Sequence, residues 1–397
     1  MTSDRAATRA LWIGTYQREG ASPGSGEGVW RVDVDLRTGA FGEPRLAVTL
    51  PAPSFLALHP SGRTLYAVGE DDPGTLTALE VLDGEDAAGG DAPATLLAAV
   101  GSLASGGAFP CHVLALDGEV WVANYGDGVA ARLPVDPATG VPAAEGVATF
   151  RHHGSGPVAD RQEGPHAHFV HPGEADEVLV SDLGTDELRR YPAGGPGDAG
   201  EDAARTVPLP PGTGPRHAVR CAGHLVVVGE LDGRAHVLLP QPDGGYEHLG
   251  SAPLVDLEAT LPEGTPVQAA HVTASLAAPD EALYVGVRGP DVLTVLGVAP
   301  AGVEAGPGSV LDGVRWAHRA DVPLGAGAWP RHHAVVDRGA ARAEGGGPLA
   351  AHEDLVVVAL QGTSELVSVR VDPRTGAGEV VHRLPMPTPP ACVLEAW

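Results

Sequence analysis

The sequence predicts an all-β fold, a seven-bladed β-propeller that closes by pairing its last strand with its first, on three observations. A proline-led unit recurs at spacings of 57, 55 and 50 residues, then across a double interval of 115. Each unit carries short apolar strands separated by turns, the signature of a blade array. The final unit is split, with its opening strand at the C-terminus and its remaining strands at the N-terminus. Such a split removes the exposed strand edges that an open array would present.

The phase marker is Pro53, Pro110, Pro165, Pro215 and Pro330, each followed by a short first strand such as Ser-Phe-Leu-Ala-Leu or Arg-His-Ala-Val-Arg. Inside the double interval lies a diverged unit, Ala270-His271-Val272-Thr273, with apolar second and third strands after it. Pro390-Ala391-Cys392-Val393-Leu394 opens the seventh copy, and Leu11 to Tyr16, Gly28 to Val34 and Arg45 to Leu50 complete it. The closing strand, Pro390 to Trp397, is therefore expected innermost, against Leu11 to Tyr16. Gly/Ala/Asp-rich stretches at Asp83 to Pro93, Gly194 to Ala204 and Arg338 to Pro348 cannot bury much apolar surface and read as solvated loops. The Asp-x-x-Thr-Gly runs ending at Gly39, Gly140 and Gly376 read as turns between third and fourth strands, because they lack the ligand spacing of a calcium loop.

No linker interrupts the 397 residues, so one domain over residues 1–397 is expected. Aromatics are scarce and Ile13 is the lone isoleucine, which leaves Val, Leu and Ala to fill the strands. A net charge of −26 disfavours nucleic acid and anionic membranes as partners. All 25 basic residues are Arg, which excludes a Schiff-base lysine, a Walker lysine and pyridoxal phosphate attachment. Cys111, Cys221 and Cys392 are widely spaced, and no apolar leader or long apolar window occurs. A reduced, cytoplasmic protein, monomeric or weakly dimeric, is the expectation.

Equivalent positions of the blades convert the repeat into geometry, because innermost strands line a central channel. The residue after each marker proline gives Ser54, Cys111, His166, Arg216, Arg331 and Ala391. The end of the second strand gives Tyr16, Glu70, Tyr125, Leu183, Glu230, Arg288 and Gln361, with Asn124 just before Tyr125. Arg and His accumulating there would be costly to bury without a ligand. Several guanidiniums in an acidic protein point to an anion, since Arg recognises carboxylate and phosphate through two parallel hydrogen bonds. For Glu70 and Glu230 the competing reading is a structural ion network. His217 and His332 alternate with arginines along their strands and are expected to pack. His166 and His168 share a strand face, but no third ligand is evident, so no metal is assigned. His152 and His153 fall in a loop with no evident task. Cys111 lacks signs of activation, and no nucleophile elbow occurs.

These residues sit in motifs that resemble a known family: PSFLALHPSGRTLYAV from Pro53, VWVANYGDG from Val120, RQEGPHAH from Arg161, SDLGTDEL from Ser181, GPRHAV from Gly214, and the closing PACVL. The chain resembles the lactonase family of seven-bladed propellers, whose best-known activity is 6-phosphogluconolactonase and which includes carboxy-cis,cis-muconate cycloisomerases. Through its cycloisomerase branch the resemblance implies a channel histidine, two arginines and a glutamate, carried here by His166, Arg216, Glu230 and Arg288. The sequence departs from the family at Gly69, Gly229 and Val287, where an Asn is usual.

The function expected is hydrolysis of an anionic sugar lactone without a cofactor. Arg216, Arg288 and Arg331 would bind the anion and polarise the carbonyl, while Glu230 or His166 would activate water. His168, Glu70, Asn124, Tyr16 and Gln361 complete the expected substrate-binding set. A lactone-forming cycloisomerase and a non-catalytic binding propeller are the alternatives.

Overall fold

The computed structural model describes residues 8–17, 27–82, 96–174, 176–194, 206–256, 261–262, 264–302, 308–339 and 349–396. The loops expected at Asp83 to Pro93 and, apart from their first residues, at Gly194 to Ala204 and Arg338 to Pro348 lie outside these. Among the described residues all regular structure is strand, arranged as seven antiparallel sheets, the seven-bladed propeller class expected.

In chain order the blades are numbered from the first complete unit. Blade one is Leu56–Leu58, Thr64–Gly69, Thr75–Val81 and Leu97–Ala104. Blade two is Pro110–Ala115, Glu119–Asn124, Val129–Pro134 and Ala148–Arg151. Blade three is Ala167–Pro172, Glu177–Asp182, Glu187–Pro192 and Thr206–Pro208. Blade four is Pro215–Cys221, His224–Gly229, Arg234–Pro240 and Tyr246–Pro253. Blade five, the diverged unit, has Gln268–Ala274, Ala282–Arg288, Val292–Pro300 and Val314–Pro323, with a fifth strand, Ser309–Leu311, that the repeat does not foretell. Blade six is Pro330–Val336, Asp354–Leu360, Glu365–Val371 and Gly378–Pro385. Blade seven runs Pro390–Glu395, Thr8–Thr15, Gly28–Asp35 and Arg45–Thr49, so the C-terminal strand holds the first-strand place. The closure is fixed by Ala396 N donating to Ala10 O at 2.9 Å and by an Arg9–Glu395 ion pair at 2.8 Å.

The chain groups into two compact units. One comprises Met1–Leu11, Val32–Glu43 and Gly212–Ala396; the other comprises Trp12–Arg31, Pro44–Pro211 and Trp397. In the first, strand alternation divides a single second strand between two cores. Leu283, Val285 and Val287 join Val226, Val228, Val237 and Trp316, whereas Tyr284 joins Val356, Val358 and Val367. This explains why second strands are apolar at successive positions: both faces are covered. In the second unit Tyr66, Val68, Val113 and Val122 form one cluster, and Trp121, Phe150, Val170 and Val180 another. Each such Val or Leu contributes roughly 1.5–3 kcal/mol by leaving water.

The Asp-x-x-Thr-Gly turns are as expected. Asp35 Oδ1 accepts from the amides of Arg37 and Thr38, and Asp136 and Asp372 repeat the pattern. Gly39, Gly140 and Gly376 end them at φ of 74°, 70° and 77°, a left-handed conformation that glycine adopts without Cβ strain. The turns also lean on neighbouring strands. Gly140 O accepts from Tyr66 Oη at 2.6 Å, and Gly39 O accepts from Ser368 Oγ at 2.7 Å.

One residue departs from its expected environment. Arg338, placed at the start of a solvated loop, is buried, and its guanidinium donates to the carbonyls of Leu36, Leu349, Ala350 and Glu353. A run of Gly, Ala and charged residues conceals it, because Leu36 lies about three hundred positions away in sequence.

Candidate active site

The first strand of most blades carries a β-bulge near its marker. Register shifts fall between Pro110 and His112, Ala167 and Phe169, Pro215 and Ala218, Ala269 and Val272, and Pro330 and His332. A bulge frees residues from the ladder and re-aims their side chains. It is why Arg216 and His217, consecutive and both buried, find polar partners of their own.

In the first unit the bulge delivers Arg216 to Glu230, which directly follows the second strand of blade four. Arg216 Nε donates to Glu230 Oε2 at 2.8 Å, and Arg288 Nη2 lies 2.7 Å from the same oxygen. Arg216 Nη1 also donates to Ala270 O, and Arg288 Nη2 to Ala269 O at 3.1 Å. The three side chains are at most 5% exposed, so these charges interact with little screening. Two guanidiniums against one carboxylate leave the group with one excess positive charge, suited to an anion.

Arg331 is partly buried and opens the first strand of blade six beside Pro330. Gln361 follows that blade's second strand; among the described residues its Oε1 is buried without a hydrogen-bond partner. Trp329, which the repeat register does not mark, lies under Arg288, with the guanidinium carbon 5.5 Å from the ring centroid. The available signal was an aromatic residue directly before a marker proline.

His217 and His332 pack as expected, in a row of imidazoles. His217 Nδ1 meets His271 Nδ1 at 2.6 Å, His271 stacks on His332 at 3.8 Å, and Val393 N donates to His332 Nδ1 at 3.3 Å. His333 is buried beside them, and that burial pushes its imidazole down to about 3.

The second unit holds the other expected residues. Glu70 Oε2 accepts from Tyr16 Oη at 2.9 Å and from Ser54 Oγ. His166 stacks on Tyr125 at 4.4 Å, and His168 meets the same ring edge-on at 5.6 Å. His166 Nδ1 donates to Tyr125 O at 2.8 Å, which turns Nε2 toward Glu163 Oε1 at 3.2 Å. Asn124, expected to bind substrate, is fully buried, and its amide is committed to Ser105 and Val129. It serves its blade as a turn-fixing residue.

His152, expected to be a loop residue with no evident task, has one. It is buried, with Nδ1 2.5 Å from Asp182 Oδ2 and Nε2 accepting from Tyr191 Oη at 2.9 Å. Asp182 Oδ1 accepts from His166 N at 2.9 Å, so His152 helps to orient the backbone that carries His166. Burial opposes ionisation of Asp182, but the hydrogen bond and charge of His152 and the His166 amide overcome it, holding the carboxyl below the usual carboxylate range.

Residues 10–305 match the family model described as lactonase, 7-bladed beta-propeller. The chain is 29% identical over 301 residues to an uncharacterised protein of Staphylococcus saprophyticus, covering 74% of this chain and 79% of that one. It is 30% identical over 212 residues to the 6-phosphogluconolactonase of Bacillus subtilis, covering 52% and 54% respectively. The structure of the periplasmic gluconolactonase of Pseudomonas aeruginosa superposes with a TM-score of 0.77 at 23% identity, over 98% of this chain and 99% of that one, a likeness of fold.

Proposed function

The chain belongs to the lactonase family of seven-bladed β-propellers, and from that premise we propose that it hydrolyses an anionic sugar lactone, most specifically 6-phosphogluconolactone. The observation that carries the reading is the buried Arg216–Glu230–Arg288 group, a carboxylate between two guanidiniums with one positive charge in excess. A protein of net charge −26 that concentrates positive charge there is built to draw in an anion.

In this proposal Arg216, Arg288 and Arg331 hold the anionic group and the lactone carbonyl oxygen. Water adds to the carbonyl carbon as Glu230 takes its proton, and the guanidiniums stabilise the oxyanion that forms. Collapse of that intermediate breaks the ring C–O bond. The proton returns to the departing oxygen, which gives the open hydroxy acid. In this proposal the reaction consumes no cofactor.

The test is acid release from freshly prepared 6-phosphogluconolactone by wild type, Arg216→Ala and Glu230→Ala. Wild type is expected to exceed the spontaneous rate and both variants to approach it. A wild-type rate equal to the spontaneous one overturns the reading. Loss of a muconate chromophore in a parallel assay would redirect it to a cycloisomerase.

A further inference from the structure

The residue directly before the marker proline is left-handed in four blades: Ala52 at φ 39°, Phe109 at 49°, Gly214 at 57° and Trp329 at 50°. In each, its carbonyl accepts from the residue that directly follows the second strand, Glu70, Tyr125, Glu230 and Gln361 in turn. The conformation therefore belongs to the blade and not to the side chain. Glycine adopts it without strain, as Gly214 does, whereas a bulky side chain there is an outlier that the surroundings must enforce. Hydrogen bonds on both sides hold Trp329 there: its amide donates to Asp291 Oδ1 in a blade-five turn at 2.9 Å, and its carbonyl accepts from Gln361 N at 3.2 Å. What the strained ring touches is the Arg288 guanidinium, at 5.5 Å from its centroid. Phe109, its counterpart in blade two, is 43% exposed and spends the same strain on no arginine among the ring contacts of the described residues.

We propose that Trp329 is a positioning residue for Arg288. The aromatic face fixes the guanidinium plane so that Nη2 stays on Glu230 Oε2 and Ala269 O, and it favours the cation in a site nearly closed to water. A ring held in a strained backbone conformation is pre-organised, so Arg288 loses little freedom when a ligand arrives. The contact stands on geometry alone; its consequence for turnover rests on the hydrolase reading above.

The experiment has two arms. Steady-state hydrolysis of 6-phosphogluconolactone is measured for wild type, Trp329→Phe and Trp329→Leu. Urea unfolding is measured for wild type, Trp329→Leu, Arg288→Gln and the double variant. Trp329→Leu is expected to lower kcat about tenfold per folded molecule, and Trp329→Phe, which keeps a ring, to stay within about threefold of wild type. In the unfolding cycle, Trp329→Leu should raise the unfolding constant about tenfold more in wild type than in the Arg288→Gln background. A merely structural tryptophan would lower stability and leave kcat unchanged. Wild-type kcat in Trp329→Leu, equal damage from Phe and Leu, or an additive cycle overturns the proposal. If wild type fails to hydrolyse the lactone while the cycle shows coupling, the hydrolase reading falls and the positioning role stands.

Discussion

Glu70 and Glu230 occupy the same register in blades one and four, one in each compact unit, yet they keep opposite company. Both follow the second strand, and both donate a backbone amide to the residue before the marker proline, Ala52 or Gly214, at 3.0 and 2.9 Å. Glu70 is met by the neutral hydroxyls of Tyr16 and Ser54; Glu230 is met by the guanidiniums of Arg216 and Arg288. Ser54 and Arg216 are themselves equivalent, each the residue after its marker. The backbone thus delivers a carboxylate at a fixed place, and two neighbouring side chains decide whether it becomes a hydrogen-bonded polar group or part of a cationic cluster. Chemistry on this repeat is written in substitutions upon a constant frame.

The largest expected difference between the two carboxylates is in rate. Glu230→Gln should lower kcat for lactone hydrolysis by about 100-fold or more, and Glu70→Gln by less than about tenfold, read as acid release per folded molecule. Equal losses would erase the comparison. Stability comes next: Glu230→Ala leaves two buried guanidiniums without their carboxylate and should cost about 3–5 kcal/mol in urea unfolding. Glu70→Ala strands only hydroxyls that can rotate to other acceptors or water, and about 1 kcal/mol is expected.

A pH profile separates the units in a different way. His333, in the first unit, has a folded value of about 3, well below the ordinary 6.5. Its neutral form is the one the fold favours, so its contribution is complete above about pH 6.5 and is lost as pH falls toward 3. At pH 5 the loss should be about 2 kcal/mol, and His333→Gln should flatten that part of the curve. Asp182, in the second unit, is held below its ordinary 3.8, so its contribution is complete above that value and is lost only as pH falls below it. Destabilisation between pH 6.5 and 4 that persists in His333→Gln would contradict this assignment.

The smallest effect concerns turns. Gly140→Ala combines a left-handed φ with a Cβ 2.9 Å from Thr64 Oγ1 and 3.1 Å from Tyr66 Oη, whereas Gly313→Ala has the same φ sign and nothing within 4 Å. Thermal unfolding should register about 1 kcal/mol for Gly313→Ala and visibly more for Gly140→Ala.

What the sequence made legible follows the range of each interaction. Marker prolines, Asp-x-x-Thr-Gly turns and alternating apolar strands are local devices, so the blades, their order and the closure could be read directly. Arg216, Glu230 and Arg288 became legible because the repeat turns alignment into register. Arg338 and His152 escaped because their partners, Leu36 and Asp182, are distant in sequence and no repeat position marks them. At Asn124 register shows where the side chain starts and not what takes its hydrogen bonds, which go to Ser105 and Val129. The first-strand bulges were also hidden, since a two-residue alternation carries no sign of the residue that breaks it.

The central claim is that the Arg216–Glu230–Arg288 group receives the anion. A crystal structure with 6-phosphogluconate, the product of the proposed reaction, tests it most directly. The account predicts a carboxylate or phosphate oxygen within hydrogen-bond distance of Arg216 or Arg288. Ligand density elsewhere, with no ligand oxygen within hydrogen-bond distance of either guanidinium, would make the group a structural ion network and contradict the account.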